Sequence, residues 1–189
     1  MNSRQAGSRR PRVNWERATY QIERLDVGQA DGYLDRLVDL LRDAVDDGAS
    51  VGFLPPLIVA DARAYWLAVL RAVAGGTRLL LAAVDRGDVL GSVQLDLATT
   101  PNARHRAEVM KLLVHRRVRR QGIGRALMQA VEQAARDAGR SLLVLDTRRG
   151  DASEVLYERL GYTRVGVIPR YARSAAGTLD DTVYFYREL

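Results

Sequence analysis

The residues best suited to chemistry lie between Glu108 and Leu127, in the run E-V-M-K-L-L-V-H-R-R-V-R-R-Q-G-I-G-R-A-L. An apolar strand leads into an arginine-rich turn, and Gly122 and Gly124 follow where an amphipathic helix begins. The first amides of a helix have no intrahelical acceptor and lie at the positive end of its dipole, so they bind phosphate oxygens well. Glycines let the backbone approach a ligand closely. The pattern therefore predicts a polyphosphate site at this turn.

The same turn adds positive charge around the predicted site through five arginines, Arg116, Arg117, Arg119, Arg120 and Arg125. The common nucleotide motifs are excluded, because there is no G-K-[ST] sequence and Leu127 stands where the dinucleotide fingerprint needs its third glycine. A nucleic-acid-binding module is the alternative from another class of function. Such a module would spread its charge over a face and interleave aromatic residues, whereas aromatic content is only 6% here. We therefore expect no nucleic-acid partner.

Two carboxylates could act on protons. Glu108 lies near the start of one apolar strand, and Asp146 ends the apolar strand Leu142–Leu145. Parallel pairing of the two strands would bring both carboxylates to one cleft. Partial burial and a neighbouring like charge raise the pKa of a carboxyl towards neutrality, which suits a general base. Strict alternation along the first strand would place three further residues on the face of Glu108, namely Met110, Leu112 and Val114.

The elements that must position these residues are predicted in the order β-α-α-β-β-β-α-β-α-β-β, a mixed-sheet α/β fold. The predicted strands are Thr19–Leu25, Thr77–Val84, Val89–Leu97, Ala107–Val114, Leu142–Leu145, Thr163–Ile168 and Thr182–Tyr186. The predicted helices are Tyr33–Val45, Asp61–Ala74, Ile123–Ala138 and Asp151–Leu160. Asp61 is predicted to cap its helix, and Asp151 and Glu154 are predicted to form a capping box.

Composition limits the class of protein. The chain has 189 residues with 47% hydrophobic content, enough for one domain, which we place at residues 15–189. Residues 1–14 are basic and lack periodicity, which predicts a disordered tail. Cysteine is absent, so thiolate zinc sites and cysteine nucleophiles are excluded, and we expect no metal. No apolar run approaches the roughly 18 residues of a membrane span, and no secretory signal is visible, so we expect a cytoplasmic protein.

The strand, basic turn, G-x-G and helix together resemble the GNAT superfamily of acyl-CoA-dependent N-acetyltransferases. Its [QR]-x-x-G-x-[GA] signature is matched by Arg119, Gly122 and Gly124. The resemblance extends from about residue 19 to residue 189 and includes L-Y-E-R-L-G-Y at 156–162. Within the superfamily, the chain is most similar to the tabtoxin-resistance acetyltransferases, through L-P-P-L, L-L-V-L-D-T and G-T-L-D-D-T-V-Y-F-Y.

The resemblance implies acetyl-CoA as acyl donor, a carboxylate base from Glu108 or Asp146, and protonation of the departing thiolate by Tyr157. It implies pairing of the strand Leu112, Leu113 and Val114 with the pantetheine arm. It also implies donor contacts from Arg119, Arg120, Gln121, Gly122, Ile123, Gly124, Arg125, Ala126 and Tyr157. One residue departs from the pattern. Gly150 stands where an asparagine often touches the donor.

The acceptor is expected to be the primary amine of a small molecule, including antibiotics or toxins, with a protein lysine or N-terminal amine as the alternative. Its pocket is predicted from Phe53, Leu54, Trp66, Glu108, Asp146 and Tyr171, although apolar packing explains the first three almost as well. Glu108 and Asp146 could also be solvated strand residues, and Tyr157 could belong to the core. His115 is interpreted as a turn residue rather than a base. Both a monomer and a homodimer stay open.

Overall fold

The computed structural model describes residues 19–189, so the predicted tail at 1–14 lies outside the described residues. The strands are β1 (Gln21–Leu25), β2 (Arg78–Asp85), β3 (Asp88–Leu97), β4 (Arg106–Val114), β5 (Leu142–Arg148), β6 (Thr163–Arg173) and β7 (Leu179–Glu188). The helices are α1 (Val27–Gly32), α2 (Leu34–Asp46), α3 (Val59–Ala74), α4 (Ile123–Asp137) and α5 (Ala152–Arg159).

The seven strands form one sheet in the order β1-β2-β3-β4-β5-β7-β6. Neighbouring strands are antiparallel except β4 and β5, which run parallel. The mixed-sheet α/β fold is therefore confirmed, and so is the parallel pairing of the strands that carry Glu108 and Asp146.

Two apolar cores cover the two faces of the sheet, and β2 contributes to both. Leu79, Leu81 and Ala83 pack on the side of α4, while Leu80 and Ala82 pack on the side of α2 and α3. Alternate residues of a strand point to opposite faces, so a strand buried on both sides needs an unbroken apolar run. The two cores fix the sheet between its helices and hold the central strands rigid.

One helix, α1, was not predicted. Its six residues include two glycines, and Ala30 alone is buried, so no apolar period marks it. A capping box starts it instead: the Gln29 amide donates to the Asp26 carboxylate at 2.8 Å, and the Asp26 amide donates to the Gln29 side chain at 3.1 Å.

One predicted helix cap and one predicted capping box are wrong. Helix α3 begins at Val59, with Ile58 at the N-cap position, so Asp61 lies in the first turn, where its charge still suits the helix dipole. Asp151 does occupy the N-cap position of α5, but its side chain makes no cap hydrogen bond. Its carboxylate accepts from Arg148 instead, and Glu154 accepts from the Gly150 amide.

The last three strands are longer than predicted because backbone pairing continues into polar sequence. Register with β7 carries β5 as far as Arg148, which pairs with Thr182. Strand β6 lies at the sheet edge and is mostly exposed, so its outer half has no apolar pattern to reveal it. This extension brings β6 and β7 beside the end of β5.

Candidate active site

The sheet opens between β4 and β5. The two strands pair at three positions only, from Arg106 with Leu142 to Glu108 with Val144, and then separate. Beyond Glu108, the edge of β4 that faces β5 has no partner strand within residues 19–189. A cavity of about 380 Å³ lies at this opening, lined by both strands, the 49–52 loop and parts of α5, β6 and β7.

A β-bulge interrupts β4 beside the opening. Ser92 pairs with Leu113, but Gln94 pairs with Met110, so β4 holds one extra residue there. Lys111 has φ of 51°, in the left-handed region that side chains other than glycine rarely adopt.

The bulge reverses the alternation of β4, which makes one prediction wrong. Val109 belongs to the core on the α4 side, and Leu112 and Val114 pack against that same core. Leu112 and Val114 therefore do not share a face with Glu108, which points the other way. The inserted residue is the cause, and it also turns Lys111 to the side of Glu108.

The two predicted carboxylates face one cavity. Asp146 lies two positions beyond the residue that pairs with Glu108, so both side chains project from the same face. Neighbouring protein atoms withdraw water from Glu108 and raise its pKa, and the charges of Asp146 and Asp96 raise it further. Arg106 and Lys111 oppose this rise. Glu108, although accessible from the cleft, can thus exchange a proton closer to neutrality than an ordinary glutamate.

Asp146 is held by a residue that the sequence analysis missed. The Thr182 hydroxyl lies 2.7 Å from Asp146 Oδ2 and 2.9 Å from the Thr147 carbonyl oxygen. Thr182 is buried on β7, next to the end of β5. The only sequence signal for it was a polar residue at the start of an apolar strand.

Lys111 is a second missed residue. It lines the cavity, and its partial withdrawal from water lowers its pKa, while the Asp146 and Glu108 carboxylates counteract that effect. Lys111 is the only lysine in a chain of 29 basic residues, a signal that composition alone offered.

Tyr157 is both a core residue and a cavity residue. Its ring packs against Tyr162 and Phe185, with ring centroids 5.9 and 5.8 Å away. The residue is 5% exposed and lines the cavity. Burial raises the pKa of its phenol far above the ordinary value, and the charges of Asp146 and Asp151 act in the same direction. The hydroxyl therefore stays neutral and can donate a hydrogen bond.

The G-x-G turn leads directly into α4. Gly122 is the N-cap residue with φ of 85°, a conformation that glycine adopts without strain. The Ala126 amide already donates to the Gly122 carbonyl at 3.0 Å, whereas the amides of Ile123, Gly124 and Arg125 precede the first intrahelical bond. A Cβ at Gly124 would lie 3.5 Å from Leu156. The first turn thus presents amides that have no intrahelical acceptor, next to a glycine without a side chain. This arrangement is suited to binding a diphosphate.

Helix α2 anchors the basic turn. Arg116 Nε lies 2.8 Å from the buried Asp43 carboxylate, which also accepts from the Arg116 amide at 3.0 Å. Arg119 pairs with Asp47 at 2.5 Å and donates to the Val114 carbonyl at 3.2 Å. The remaining three arginines of the turn are exposed and form no ion pair with another residue of the described chain: Arg117, Arg120 and Arg125.

His115 acts as a turn residue in the structure. Its Nδ1 accepts from the Arg117 amide at 3.3 Å and lies 3.5 Å from Asp43. Burial lowers the pKa of the imidazole, with the arginines of the turn acting in the same direction and Asp43 opposing them. A neutral ring that accepts a hydrogen bond from the backbone agrees with the prediction from sequence.

The residues predicted to line the acceptor pocket are dispersed. Tyr171 lines the cavity, half exposed, with its hydroxyl 3.1 Å from that of Tyr184. Trp66 lies fully buried in the core of α2 and α3, Phe53 packs edge-on against Tyr65, and Leu54 is exposed. None of these three lines the cavity, which is bounded instead by the loop residues 49–52. Core packing, the alternative left open, explains Trp66.

Arg148 connects three elements around the cavity and was not predicted. Its Nη2 lies 2.8 Å from Asp151 at the start of α5, and its Nη1 donates to the Gly48 carbonyl at 3.0 Å. Asp180 of β7 lies 3.7 Å from the same guanidinium. The loop after α2, the N-terminus of α5 and the start of β7 are thereby held together.

Residues 57–162 match the model of the Acetyltransferase (GNAT) family. The chain belongs to this family. It is an acetyl-CoA-dependent N-acetyltransferase, as the G-x-G turn and the opening beside β4 lead one to expect. Among residues 19–189, no cluster of three or more His, Asp or Glu side chains could hold a metal ion. No helix in that range is long and apolar enough to cross a membrane.

Solved structures share the GNAT fold with this chain. A ribosomal-protein-alanine N-acetyltransferase from Brucella melitensis is 22% identical, with a TM-score of 0.74 over 89% of this chain and 99% of the other. A GCN5-related N-acetyltransferase from Kribbella flavida is 22% identical, with a TM-score of 0.74 over 90% and 98%. A protein from Salmonella typhimurium, solved with its cofactor acetyl-CoA, is 20% identical, with a TM-score of 0.72 over 90% and 94%.

Proposed function

We propose that this GNAT enzyme, a single domain over residues 15–189, acetylates the primary amine of a small molecule in the cytoplasm. We further propose that the acceptor is an antibiotic or toxin, as in the tabtoxin-resistance acetyltransferases that the sequence resembles. The carboxylate pair Glu108 and Asp146, which faces the cavity at the opening between β4 and β5, carries the proposal. A volume of about 380 Å³ lies in the range that small-molecule sites occupy.

The donor site is proposed along β4 and the start of α4. Pantetheine would pair with the free edge at Leu112, Leu113 and Val114, since no strand of the described chain occupies it. The diphosphate would accept from the amides between Gly122 and Arg125. We assign Ala126 a smaller part, because its amide already has an acceptor. Charge near the diphosphate would come from Arg119, Arg120 and Arg125, with Gln121 within the same turn.

Side chains of the protein would remove the proton from the acceptor amine. An alkylamine with a pKa of about 10.4 is mostly protonated at neutral pH, and only its neutral form is nucleophilic. Glu108 or Asp146 would remove the proton, one of them through water. When bound, acetyl-CoA supplies the thioester carbonyl that the neutral amine attacks. A backbone amide on the free edge of β4 would stabilise the oxyanion, which is worth about 3 kcal/mol in comparable sites.

Tyr157 would complete the reaction by donating its proton to the departing thiolate. A thiol has a pKa of about 8.5, so its thiolate leaves readily without help. We therefore propose that Tyr157 assists and is not indispensable. Transfer would be direct, within a ternary complex, and a burst of acetylated enzyme before turnover would contradict this order.

A protein amine is the second candidate acceptor, because one structural neighbour is named as a ribosomal-protein-alanine N-acetyltransferase. A panel of small primary amines and of peptides with a free N-terminus or lysine, assayed for free-thiol release from acetyl-CoA, separates the two. Turnover of small amines with kcat/KM at least tenfold above that of any peptide supports the proposal. The reverse order would overturn it in favour of a protein substrate.

A further inference from the structure

Most charged side chains around the cavity already have partners. Asp151 and Asp180 share Arg148, at 2.8 and 3.7 Å. Asp181 pairs with Arg149 at 3.3 Å and accepts from the Arg170 amide at 3.0 Å. These groups build the wall of the cavity and have little charge left to offer a ligand.

Three charges remain without a counter-ion. Glu108, Asp146 and Lys111 all line the cavity, and within residues 19–189 none of them has an oppositely charged group within 4.0 Å. The cavity therefore offers two negative charges and one positive charge at the same time. A ligand complementary to this set would carry both an ammonium and an acidic group.

The bulge gives Lys111 its position. In a regular strand, Lys111 would share the face of Val109 and enter the core beside α4. The extra residue and the left-handed backbone turn its side chain to the face of Glu108 instead. Its Nζ lies 3.8 Å from the place that a Cβ at Gly52 would occupy, so the ammonium reaches the loop across the cavity.

We infer that Lys111 binds an acidic group of the acceptor, so that the preferred substrates carry a carboxylate or similar anion near the reacting amine, as amino acids do. The inference rests on the proposed small-molecule function and names its substrate class. Glu108 and Asp146 attract the ammonium end of such a molecule, while Lys111 neutralises the acidic end. An ammonium partly withdrawn from water gains most from a counter-ion that arrives with the ligand.

Matched pairs of amines test the inference, each pair an α-amino acid and its decarboxylated product: lysine and cadaverine, tyrosine and tyramine, phenylalanine and phenethylamine. With the wild-type enzyme, kcat/KM should be about tenfold to a hundredfold higher for the amino acid, the range expected of one charge-assisted hydrogen bond. Lys111→Met should raise KM for the amino acid by that factor and should have a much smaller effect on KM for the decarboxylated amine.

Two further variants separate charge from backbone effects. Lys111→Gly removes the ammonium while favouring the left-handed conformation, so it should behave as Lys111→Met does. Arg136→Met removes a cation from the far end of α4 and should retain the preference for the acidic substrate. Stabilisation of each variant by acetyl-CoA, measured as the rise in Tm, verifies that the donor site is intact.

The outcomes are distinct. A wild-type enzyme that favours the decarboxylated amines would overturn the inference and leave the proposed function standing. An equal loss of kcat/KM for both members of a pair in Lys111→Met would also overturn it. Lys111 would then act on the charges of Glu108 and Asp146 and not on the substrate. If acetyl-CoA raises Tm but no small amine of either kind is acetylated, the small-molecule function itself fails, and the inference with it.

Discussion

The carboxylates of Glu108 and Asp146 differ in how they are held. Asp146 accepts a hydrogen bond from the buried Thr182, whereas Glu108 makes none with the described residues. An anchored carboxylate orients a substrate or a water molecule, while an unanchored one can follow the proton that it removes. At the residue scale, this difference favours Glu108 as the base and Asp146 as the group that positions the amine or water.

Glu108→Gln should lower kcat by about 10²-fold or more, the usual loss when a general base is removed. Because burial and then Asp146 raise the pKa of Glu108, the acidic limb of the wild-type rate profile should lie above pH 4.5. Activity falls as pH drops through that pKa, and the variant should lack this limb. Steady-state kinetics between pH 5 and 9 measure both effects; an unchanged limb would place the base elsewhere.

Asp96→Asn is the control for the electrostatic part of this prediction. Asp96 raises the pKa of Glu108 by like charge, so its neutralisation should move the acidic limb to lower pH. The variant keeps Glu108, and its kcat at the plateau should therefore stay near that of the wild type.

Sequence reasoning selected Glu108, Asp146 and Tyr157, which line one cavity in the structure, because each stands near one end of an apolar segment or within a recognisable motif. It missed Lys111 and Thr182 for a physical reason. Alternation assumes a regular strand, and one inserted residue in β4 exchanges the faces of everything that follows. Thr182 reaches Asp146 through the pairing register of β5 and β7. The two residues lie 36 positions apart along the chain, and periodicity does not encode such a contact.

At the scale of single elements, the first turn of α4 is the part of the proposed donor site that depends most on small side chains. Gly124→Ala would place a Cβ 3.5 Å from Leu156 and 3.7 Å from Val114, which is ordinary contact. Gly124→Val would add two methyl groups to that space and crowd the diphosphate.

Gly124→Val should therefore raise KM for acetyl-CoA strongly, whereas Gly124→Ala should raise it far less. Isothermal titration with acetyl-CoA and thermal unfolding of both variants separate weaker binding from lost stability. Wild-type affinity in the valine variant would refute the placement of the phosphates at this turn.

Arg148 connects separate elements, because it joins the loop at Gly48 to Asp151 and Asp180. We expect Arg148→Met to raise KM for the amine and to leave the affinity for acetyl-CoA close to wild type, since the proposed donor site lies along β4 and α4. Arg136→Met, which removes an exposed cation from the last turn of α4, away from the cavity, is the control. A parallel loss of donor affinity would mean that Arg148 supports the whole cleft.

Elements were predictable where apolar periodicity was strong, as in α2, α4 and the central strands. The short helix α1 and the outer parts of β5, β6 and β7 were not, because capping and backbone pairing define them rather than burial. For this reason, the residues on the acceptor side of the cavity were the hardest to predict. Its wall consists of residues 49–52 and the ends of these strands, not the apolar side chains that sequence favours.

For the whole molecule, the formal charge of +6 raises the question of a polyanion-binding surface. The structure places two arginines of the basic turn in ion pairs, Arg116 with Asp43 of α2 and Arg119 with Asp47, the C-cap residue of that helix. Among residues 19–189, the arginines of this turn that have no ion pair form a local cluster beside the N-terminus of α4.

Acetyl-CoA should therefore stabilise the protein specifically. At a concentration of 100 times Kd it should add about 2.7 kcal/mol to the free energy of unfolding, seen as a clear rise in Tm. Duplex DNA at physiological salt should leave Tm unchanged, because non-specific binding weakens steeply with salt. A larger shift with DNA than with acetyl-CoA would contradict the assignment.

The short pairing between β4 and β5 has a consequence for motion. Only three residue pairs join the half of the sheet that ends at β4 to the half formed by β5, β7 and β6. Amide protons of the β4 edge beyond Glu108 should exchange quickly with solvent in the free protein. An extended ligand arm that pairs with that edge would slow the exchange of these amide protons. It would also reduce the motion of the two halves of the sheet relative to each other, so that donor binding would make the cleft more rigid.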